Sequence, residues 1–250
     1  KLCPVCNWRR AMKNSYQAQK VIEEVVKERP KARWLFLTLS TKNAIDGETL
    51  ENSLKEMTKA FHKLFKYKKV SKNLIGFMRS TEVTVNKNDG SYNQHMHVLL
   101  CVESAYFRKK ENYITQEEWV DLWQKALQVD YKPVANIKAI KPNKKGDKDI
   151  QAAIKETSKY SVKSSDYLTG NHEKDAEIVS DLEQGLHRKR MLSYGGLLKQ
   201  KHKILNLDDA ENGDLIKTSD DETITDEEEK AHSITAIWNF EKQNYFLKNM

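Results

Sequence analysis

The chain has 250 residues, of which 38% are apolar and 32% charged, and it is long enough to bury the core of one large domain. No apolar run approaches the roughly 20 residues that a membrane span needs, and the first residues lack the pattern of a secretory signal. Three cysteines exclude a disulfide scaffold and favour a reducing compartment. We therefore expect a cytoplasmic protein without a membrane partner.

Charge is distributed unevenly along the chain. Residues 208–229 hold 11 acids and one base, and the remainder holds 42 bases and 25 acids, a net charge of +17. A body this basic favours a polyanionic partner, most commonly nucleic acid, whereas a solvated lysine-rich surface is the alternative. The acidic stretch at about 206–232 is predicted to be mobile.

The predicted elements are helices, marked by apolar residues every three or four positions, and strands, marked by apolar and β-branched runs. Two of the strands flank Asp89-Gly90, which indicates a hairpin with a longer loop than the minimum. In chain order the prediction is a helix at 11–29, a strand at 33–40, a helix at 48–66, strands at 74–85 and 93–102, a helix at 115–129, a strand at 134–140 and a helix at about 149–163.

This order of elements predicts an α+β domain with a central antiparallel sheet covered by helices. Beyond Gly170 the pattern weakens: residues 173–205 are basic with partly helical spacing, and 233–247 indicate a strand or hairpin. We therefore predict one domain at 1–170 and a partly helical, basic C-terminal extension at 171–250.

His95-Met96-His97 is the sharpest chemical signal in the sequence. Residues i and i+2 of a strand share a face, so both imidazoles project together and Met96 turns away. Counting back from the hairpin turn brings Glu82 near the pair, within a residue or two. Two imidazoles and a carboxylate can hold Mg²⁺ or Mn²⁺ with open positions; two ordinary polar-face histidines are the alternative.

A second constellation follows in the last predicted helix of the domain, where Glu156, Tyr160, Lys163 and Tyr167 fall on one face. A phenol beside an ammonium and a carboxylate can serve nucleophilic and acid–base catalysis. The spacing leaves open that Tyr160 is a half-buried core tyrosine among solvated charges. Tyr167, two turns further on, is the competing nucleophile.

Cys3 and Cys6 make up half of a zinc site at the edge of the sequence. No second cysteine pair accompanies them, because the third cysteine, Cys101, lies alone in a core strand. The pair is therefore a partial zinc site, which needs further ligands to hold an ion.

Five segments occur in the order typical of the replication initiator (Rep) proteins of Gram-positive rolling-circle plasmids, members of the HUH endonuclease superfamily. Over residues 1–170 the chain resembles this family. His95-Met96-His97 meets the His-hydrophobic-His signature, although many members have Pro where this chain has Gln94. The segments are CPVCNWRR (3–10), FLTLST (36–41), GFMRSTEVTV (76–85), NQHMHVLLCV (93–102) and KETSKYSVKSSDYL (155–168).

The resemblance implies the HUH fold, with a ferredoxin-like or RRM-like sheet, and a metal site at three matching positions. By the same resemblance, His95 and His97 would bind the divalent metal and Glu82 would complete the site. The Gln94 departure is expected to affect the entry of the strand rather than these ligands.

The resemblance also implies the catalytic residues. Tyr160 would be the nucleophile, with Lys163 the lysine that follows it one turn later. Glu156 would be the acid that activates water in the closing cleavage.

The implied activity is nicking and joining of one DNA strand at a plasmid double-strand origin through a 5′-phosphotyrosine. The implied partners are origin DNA that is single-stranded or extruded as a hairpin, a host helicase, a DNA polymerase and a second copy of the chain in a homodimer, all in the bacterial cytoplasm. The alternatives are a non-catalytic DNA-binding replication regulator with a structural metal, and a relaxase or transposase of the same superfamily.

Overall fold

A five-stranded antiparallel sheet with helices on both faces dominates the fold, which confirms the predicted α+β class. The computed structural model describes residues 2–140, 148–158, 162, 167–209, 236–239 and 244–247. The chain divides into two units, Lys1–Thr218 and Ser219–Met250. The functional boundary expected after residue 170 falls inside the larger unit and stays a prediction.

The elements follow the predicted order up to β4 and add short helices between them. The helices are α1 (Pro4–Glu28), α2 (Gly47–Leu64), α3 (Lys68–Ser71), α4 (Ala105–Arg108), a 3-10 turn (Lys110–Asn112), α5 (Gln116–Leu127), α6 (Lys148–Thr157), α7 (His172–Leu186) and α8 (Gly196–Ile204). The strands are β1 (Arg33–Ser40), β2 (Leu74–Val85), β3 (Tyr92–Val102), β4 (Ala135–Ile140), β5 (Leu192–Gly195), β6 (Ala236–Asn239) and β7 (Asn244–Leu247). No helix in the described part of the chain is long and apolar enough to cross a bilayer.

The strand order in the large sheet is β4-β1-β3-β2-β5. β2 and β3 form the predicted hairpin, and their register places Glu82 opposite His95. In the connecting turn the Asp89 carboxylate accepts hydrogen bonds from the backbone N–H and hydroxyl of Ser91. Gly90 follows with φ +74°, a conformation that glycine adopts without a Cβ penalty.

Alternate residues of the strands enter two different apolar layers. Met96 and Val98 pack in the layer beneath α2 and α5, whereas Leu99 and Cys101 pack in the layer beneath α1, α6 and α8. His95 and His97 share the face of the second layer, because side chains of a strand alternate.

Two predicted helix boundaries are wrong. α1 begins at Pro4 rather than at residue 11, because Cys3 acts as the N-cap and proline suits the first helical position. α6 ends at Thr157 rather than near 163. The Thr157 hydroxyl donates to the Ala153 carbonyl, and Thr and Ser side chains of this kind compete with the backbone for hydrogen bonds near a helix end.

The region after Gly170 is partly helical, as predicted, but it also contains strand β5, which the sequence pattern missed. β5 pairs with the outer side of β2. α7 packs on α2 so closely that a Cβ at Gly185 would lie 2.6 Å from a methyl of Leu50. The Tyr92 hydroxyl donates to the Asp181 carboxylate at 2.7 Å. In the smaller unit, β6 and β7 pair as the hairpin expected in 233–247.

Candidate active site

Glu82, His95 and His97 meet on one face of the β2–β3 hairpin. Glu82 Oε2 lies 3.2 Å from His95 Nε2 and 3.1 Å from His97 Nε2. The possible ligand atoms of the three side chains all lie within 4.8 Å of one another. In the described part of the chain this triad is the one group of three or more His, Cys, Asp or Glu side chains that could hold a metal ion.

The apolar neighbours of the triad hold the hairpin in register. Met96 and Val98 are fully buried on the opposite face. A slip of one residue would turn the imidazoles into that apolar layer and bring these side chains out of it. The predicted juxtaposition of Glu82 with the histidine pair is therefore enforced by core packing.

The negative charge of Glu82 favours binding of a cation at the triad. Burial by itself would raise the pKa of Glu82, but the hydrogen bonds and attraction from His95 and His97 outweigh it and hold that pKa well below its usual range. Glu82 is therefore an anionic carboxylate in a largely buried position. A buried carboxylate is stable only when such partners compensate its charge.

Strand β1 orients His97 from its other side. Thr38 lies opposite His97 in the strand register, and its Oγ1 is 3.4 Å from His97 Nδ1. The Phe36 ring stacks on the imidazole with 5.5 Å between ring centroids. Partners of this kind fix the orientation of metal-ligating histidines. Sequence reasoning missed both residues, although their alternate spacing in the FLTLST segment was the available signal.

α6 brings Glu156 to the triad. Its Oε1 lies 4.0 Å from His97 Nε2, and the side chain is 37% exposed. Ile150 and Ile154 on the same helix pack in the apolar layer beneath α1, which anchors α6 against the sheet. The other two predicted catalytic residues, Tyr160 and Lys163, lie outside the described residues.

Tyr167 is a core residue in this structure. It is 4% exposed and packs with Val83 and Val162. Its hydroxyl donates to the Leu2 carbonyl, and burial raises the pKa of its phenol. Both effects make it a poorer nucleophile than an accessible tyrosine. Because α6 ends at Thr157, Tyr167 also does not continue a single helix face from Glu156.

Gln94, the residue before His95-Met96-His97, is fully buried. Its Nε2 donates to the Lys42 carbonyl at 2.8 Å and to the Ser53 hydroxyl at 2.5 Å. The side chain therefore ties the entry of β3 to α2 and to the chain after β1. It does so on the face opposite the triad.

Cys3 and Cys6 occupy the first turn of α1. The Cys3 Sγ accepts a hydrogen bond from the Cys6 backbone N–H at 3.4 Å, and this bond is the main cause that lowers the pKa of Cys3. Their thiols are not part of any larger group of potential ligands among the described residues. Zinc binding by this pair stays a prediction.

Comparison with known proteins gives consistent matches along the chain. Residues 1–246 match the family described as Replication protein. A Replication protein of Staphylococcus aureus is 55% identical over 237 residues, 95% of this chain and all of that protein. A Protein rep of Lactiplantibacillus plantarum is 54% identical, covering 99% of this chain and 78% of its own length. One of Streptococcus pneumoniae is 48% identical, covering all of this chain and 75% of its own length. No solved structure matches significantly.

Proposed function

This chain belongs to the replication protein family, and on that premise we propose that it nicks and rejoins one DNA strand at a plasmid double-strand origin, to start and end rolling-circle replication. The observation that carries the proposal is the 4.0 Å distance between Glu156 Oε1 and His97 Nε2. It brings the acid proposed to activate water next to the triad proposed to hold the metal.

The donor set of the triad fits a divalent cation. Glu82 Oε2 lies within hydrogen-bonding distance of the Nε2 atoms of His95 and His97. Two nitrogen donors favour Mn²⁺ over Mg²⁺, which prefers oxygen ligands. When bound, the ion would neutralise charge on the scissile phosphate and on the leaving 3′ oxygen.

The side chains of Tyr160, Lys163 and Glu156 carry out the bond-forming and proton-transfer steps. The Tyr160 phenol gives up its proton, and its oxygen forms a bond to phosphorus as the bond from phosphorus to the 3′ oxygen breaks. The 3′ oxygen takes up a proton, which leaves a 5′-phosphotyrosine and a 3′-hydroxyl. The Lys163 ammonium favours the phenolate of Tyr160. One phosphodiester replaces another, so the step needs no ATP and is reversible. In the closing cleavage Glu156 accepts a proton from water instead, and no new protein–DNA bond forms.

The partners follow from this chemistry. Attack in line on one phosphate requires DNA that is locally unpaired, such as an extruded hairpin at the origin. The freed 3′-hydroxyl is a primer for a DNA polymerase, and extension requires a helicase to open the duplex. We propose that these host enzymes, and a second copy of the chain in a homodimer, act with this protein in the bacterial cytoplasm.

The direct test is trapping of the covalent intermediate. The full chain is incubated with Mn²⁺ and a 3′-end-labelled oligonucleotide from the origin of its own plasmid, then run on a denaturing gel. We expect a labelled band at the mass of the protein that EDTA abolishes. Tyr160→Phe should lose the band, whereas Tyr113→Phe, at a tyrosine 45% exposed, should keep it.

Other results of the same experiment contradict the proposal in different ways. DNA binding without an adduct in any divalent metal would favour the non-catalytic regulator. An adduct that mass spectrometry maps to Tyr167 would overturn the nucleophile assignment while leaving the reaction class intact.

A further inference from the structure

A cavity of about 370 Å³ lies at the outer side of β2, on the sheet face opposite the triad. α2, β2 and the loop between α7 and β5 form its walls. Ten described residues line it, and none of these is acidic or aromatic. Six of them are basic: Lys55, Lys59, Arg79, Arg188, Lys189 and Arg190.

Nearby carboxylates compensate only part of this charge. Glu51 pairs with Lys55 at 2.8 Å and with Lys189 at 3.3 Å. Glu56 pairs with Lys59, and Asp209 pairs with Arg190. With Arg79 left out of the count, five bases of the cavity face these three carboxylates, which gives a net charge of +2 among the described residues. The Lys59–Glu56 and Arg190–Asp209 pairs are exposed on both sides, and exposed pairs contribute no more than about 1 kcal/mol each, so an incoming anion can displace them.

The buried guanidinium of Arg79 lies at the floor of the cavity. Arg79 is 5% exposed. Its Cζ lies 5.2 Å from the centroid of the Phe61 ring, and its Nη2 donates to the Arg190 carbonyl at 3.5 Å. Such contacts fix the guanidinium beneath the cavity, where its positive charge attracts an anion held by the more exposed basic side chains of the walls.

The cavity and the triad lie on opposite faces of strand β2. Thr81 lines the cavity, and Glu82 is the next residue of β2, with Cα atoms about 3.8 Å apart. Their side chains point to opposite faces because strand residues alternate. A DNA strand with one phosphate at the triad can pass around this end of β2. Phosphates a few nucleotides away along the same strand would then lie close to the cavity.

We propose that this cavity binds a backbone phosphate of the DNA, a few nucleotides away from the phosphate at the triad. The inference rests on the proposed function for the nature of the DNA substrate. Its ligand is the DNA backbone rather than a free nucleotide, because the described residues of the cavity include no aromatic side chain on which a base would stack. Its role is to hold and orient the strand, as sequence-independent phosphate contacts do.

The test compares two matched double variants of the full chain. Lys59→Gln with Arg188→Gln removes one lysine and one arginine from the cavity. Arg108→Gln with Lys110→Gln removes the same pair of charges from exposed positions beyond the far end of β3. Thermal unfolding followed by circular dichroism confirms that both variants fold.

Binding is measured by fluorescence anisotropy with a labelled single strand of 30 nucleotides of mixed sequence, from 50 to 200 mM NaCl. Two lost phosphate contacts should make the slope of log K against log salt shallower by about 1.4, and should weaken binding at low salt by about tenfold. The Arg108 and Lys110 variant should change both quantities much less.

Three results would overturn the inference. Equal changes in both variants would mean that only the general charge of the protein matters, and no change in the cavity variant would mean that the cavity is not used. Displacement of the oligonucleotide by micromolar ATP, lost in the cavity variant, would assign the site to a free nucleotide. The anisotropy measurement does not depend on cleavage, so the absence of a covalent adduct in the unsubstituted chain would count against the proposed function alone.

Discussion

Between positions 79 and 82, the two faces of strand β2 carry groups of opposite charge. On one face Glu82 presents a buried carboxylate to His95 and His97. On the other face Arg79 and Thr81 line a basic cavity. The alternation of a strand separates these groups by the thickness of the sheet, so neither neutralises the other.

The difference suggests two ways in which one protein can bind the same phosphodiester backbone. A phosphate at Glu82 would be repelled unless a cation lay between the two anions. A phosphate in the cavity meets guanidinium and ammonium groups directly. The first arrangement suits a bond that must be polarised and broken, and the second suits a strand that must only be held.

Removing both imidazoles is expected to have the largest effect. His95→Ala with His97→Ala should lower nicking by about a thousandfold or more, because the charge stabilisation that the proposed metal would supply is lost. Binding to duplex DNA should stay nearly constant, since phosphate contacts are spread over many Lys and Arg side chains. Adduct formation and anisotropy, measured on the same preparation with His62→Ala as control, check this. A double variant that still nicks with unchanged metal dependence would show that the metal is held elsewhere.

The next largest effect is expected at Glu156, and it should be confined to one step. Glu156→Ala should still form the covalent adduct but should lose about a hundredfold or more in the final hydrolytic cleavage, because water lacks its general base. The products of replication in cells would then be longer than one plasmid unit, which gel electrophoresis of plasmid DNA would show. Tyr160→Phe, by contrast, should form no covalent adduct. If the Glu156→Ala variant terminates replication normally, Glu156 is only a surface carboxylate without a catalytic role.

A core substitution next to the triad should change stability rather than chemistry. Met96→Ala removes a fully buried side chain from the layer beneath α2 and α5, and should lower the free energy of unfolding by about 2–5 kcal/mol. Val134→Ala, at a valine 59% exposed, should change it by less than about 0.5 kcal/mol. Urea unfolding followed by fluorescence compares the two. Equal midpoints would contradict the division of β3 into a core face and a site face.

The smallest effect is expected from the acidic stretch. Asp208 and Asp209, at its start, already pair with Lys13 and with Arg190 of the cavity wall. Replacing residues 210–229 by a neutral Gly/Ser linker of equal length should tighten non-specific DNA binding on the order of threefold to tenfold and steepen its salt dependence. Unchanged affinity at low salt would indicate that these acids face away from the DNA.

The sequence by itself determined those features that depend on local periodicity. β1, β2 and β3 follow from apolar runs and turn residues, and the pairing of Glu82 with His95 follows from counting back along the hairpin. These predictions succeed because a hairpin is closed by its own turn, and strand alternation then assigns each side chain to a face. The ends of α1 and α6 were predicted less well, because caps and side-chain hydrogen bonds override periodicity there.

Only the tertiary structure decided which distant segments meet. The approach of Glu156 to His97, the burial of Tyr167 and the basic cavity join residues that are tens to more than a hundred positions apart. β5 has four residues and acquires its identity only by pairing with β2. Contacts of this kind depend on how helices and strands pack together, and a pattern read along one segment contains no information about its partner in space.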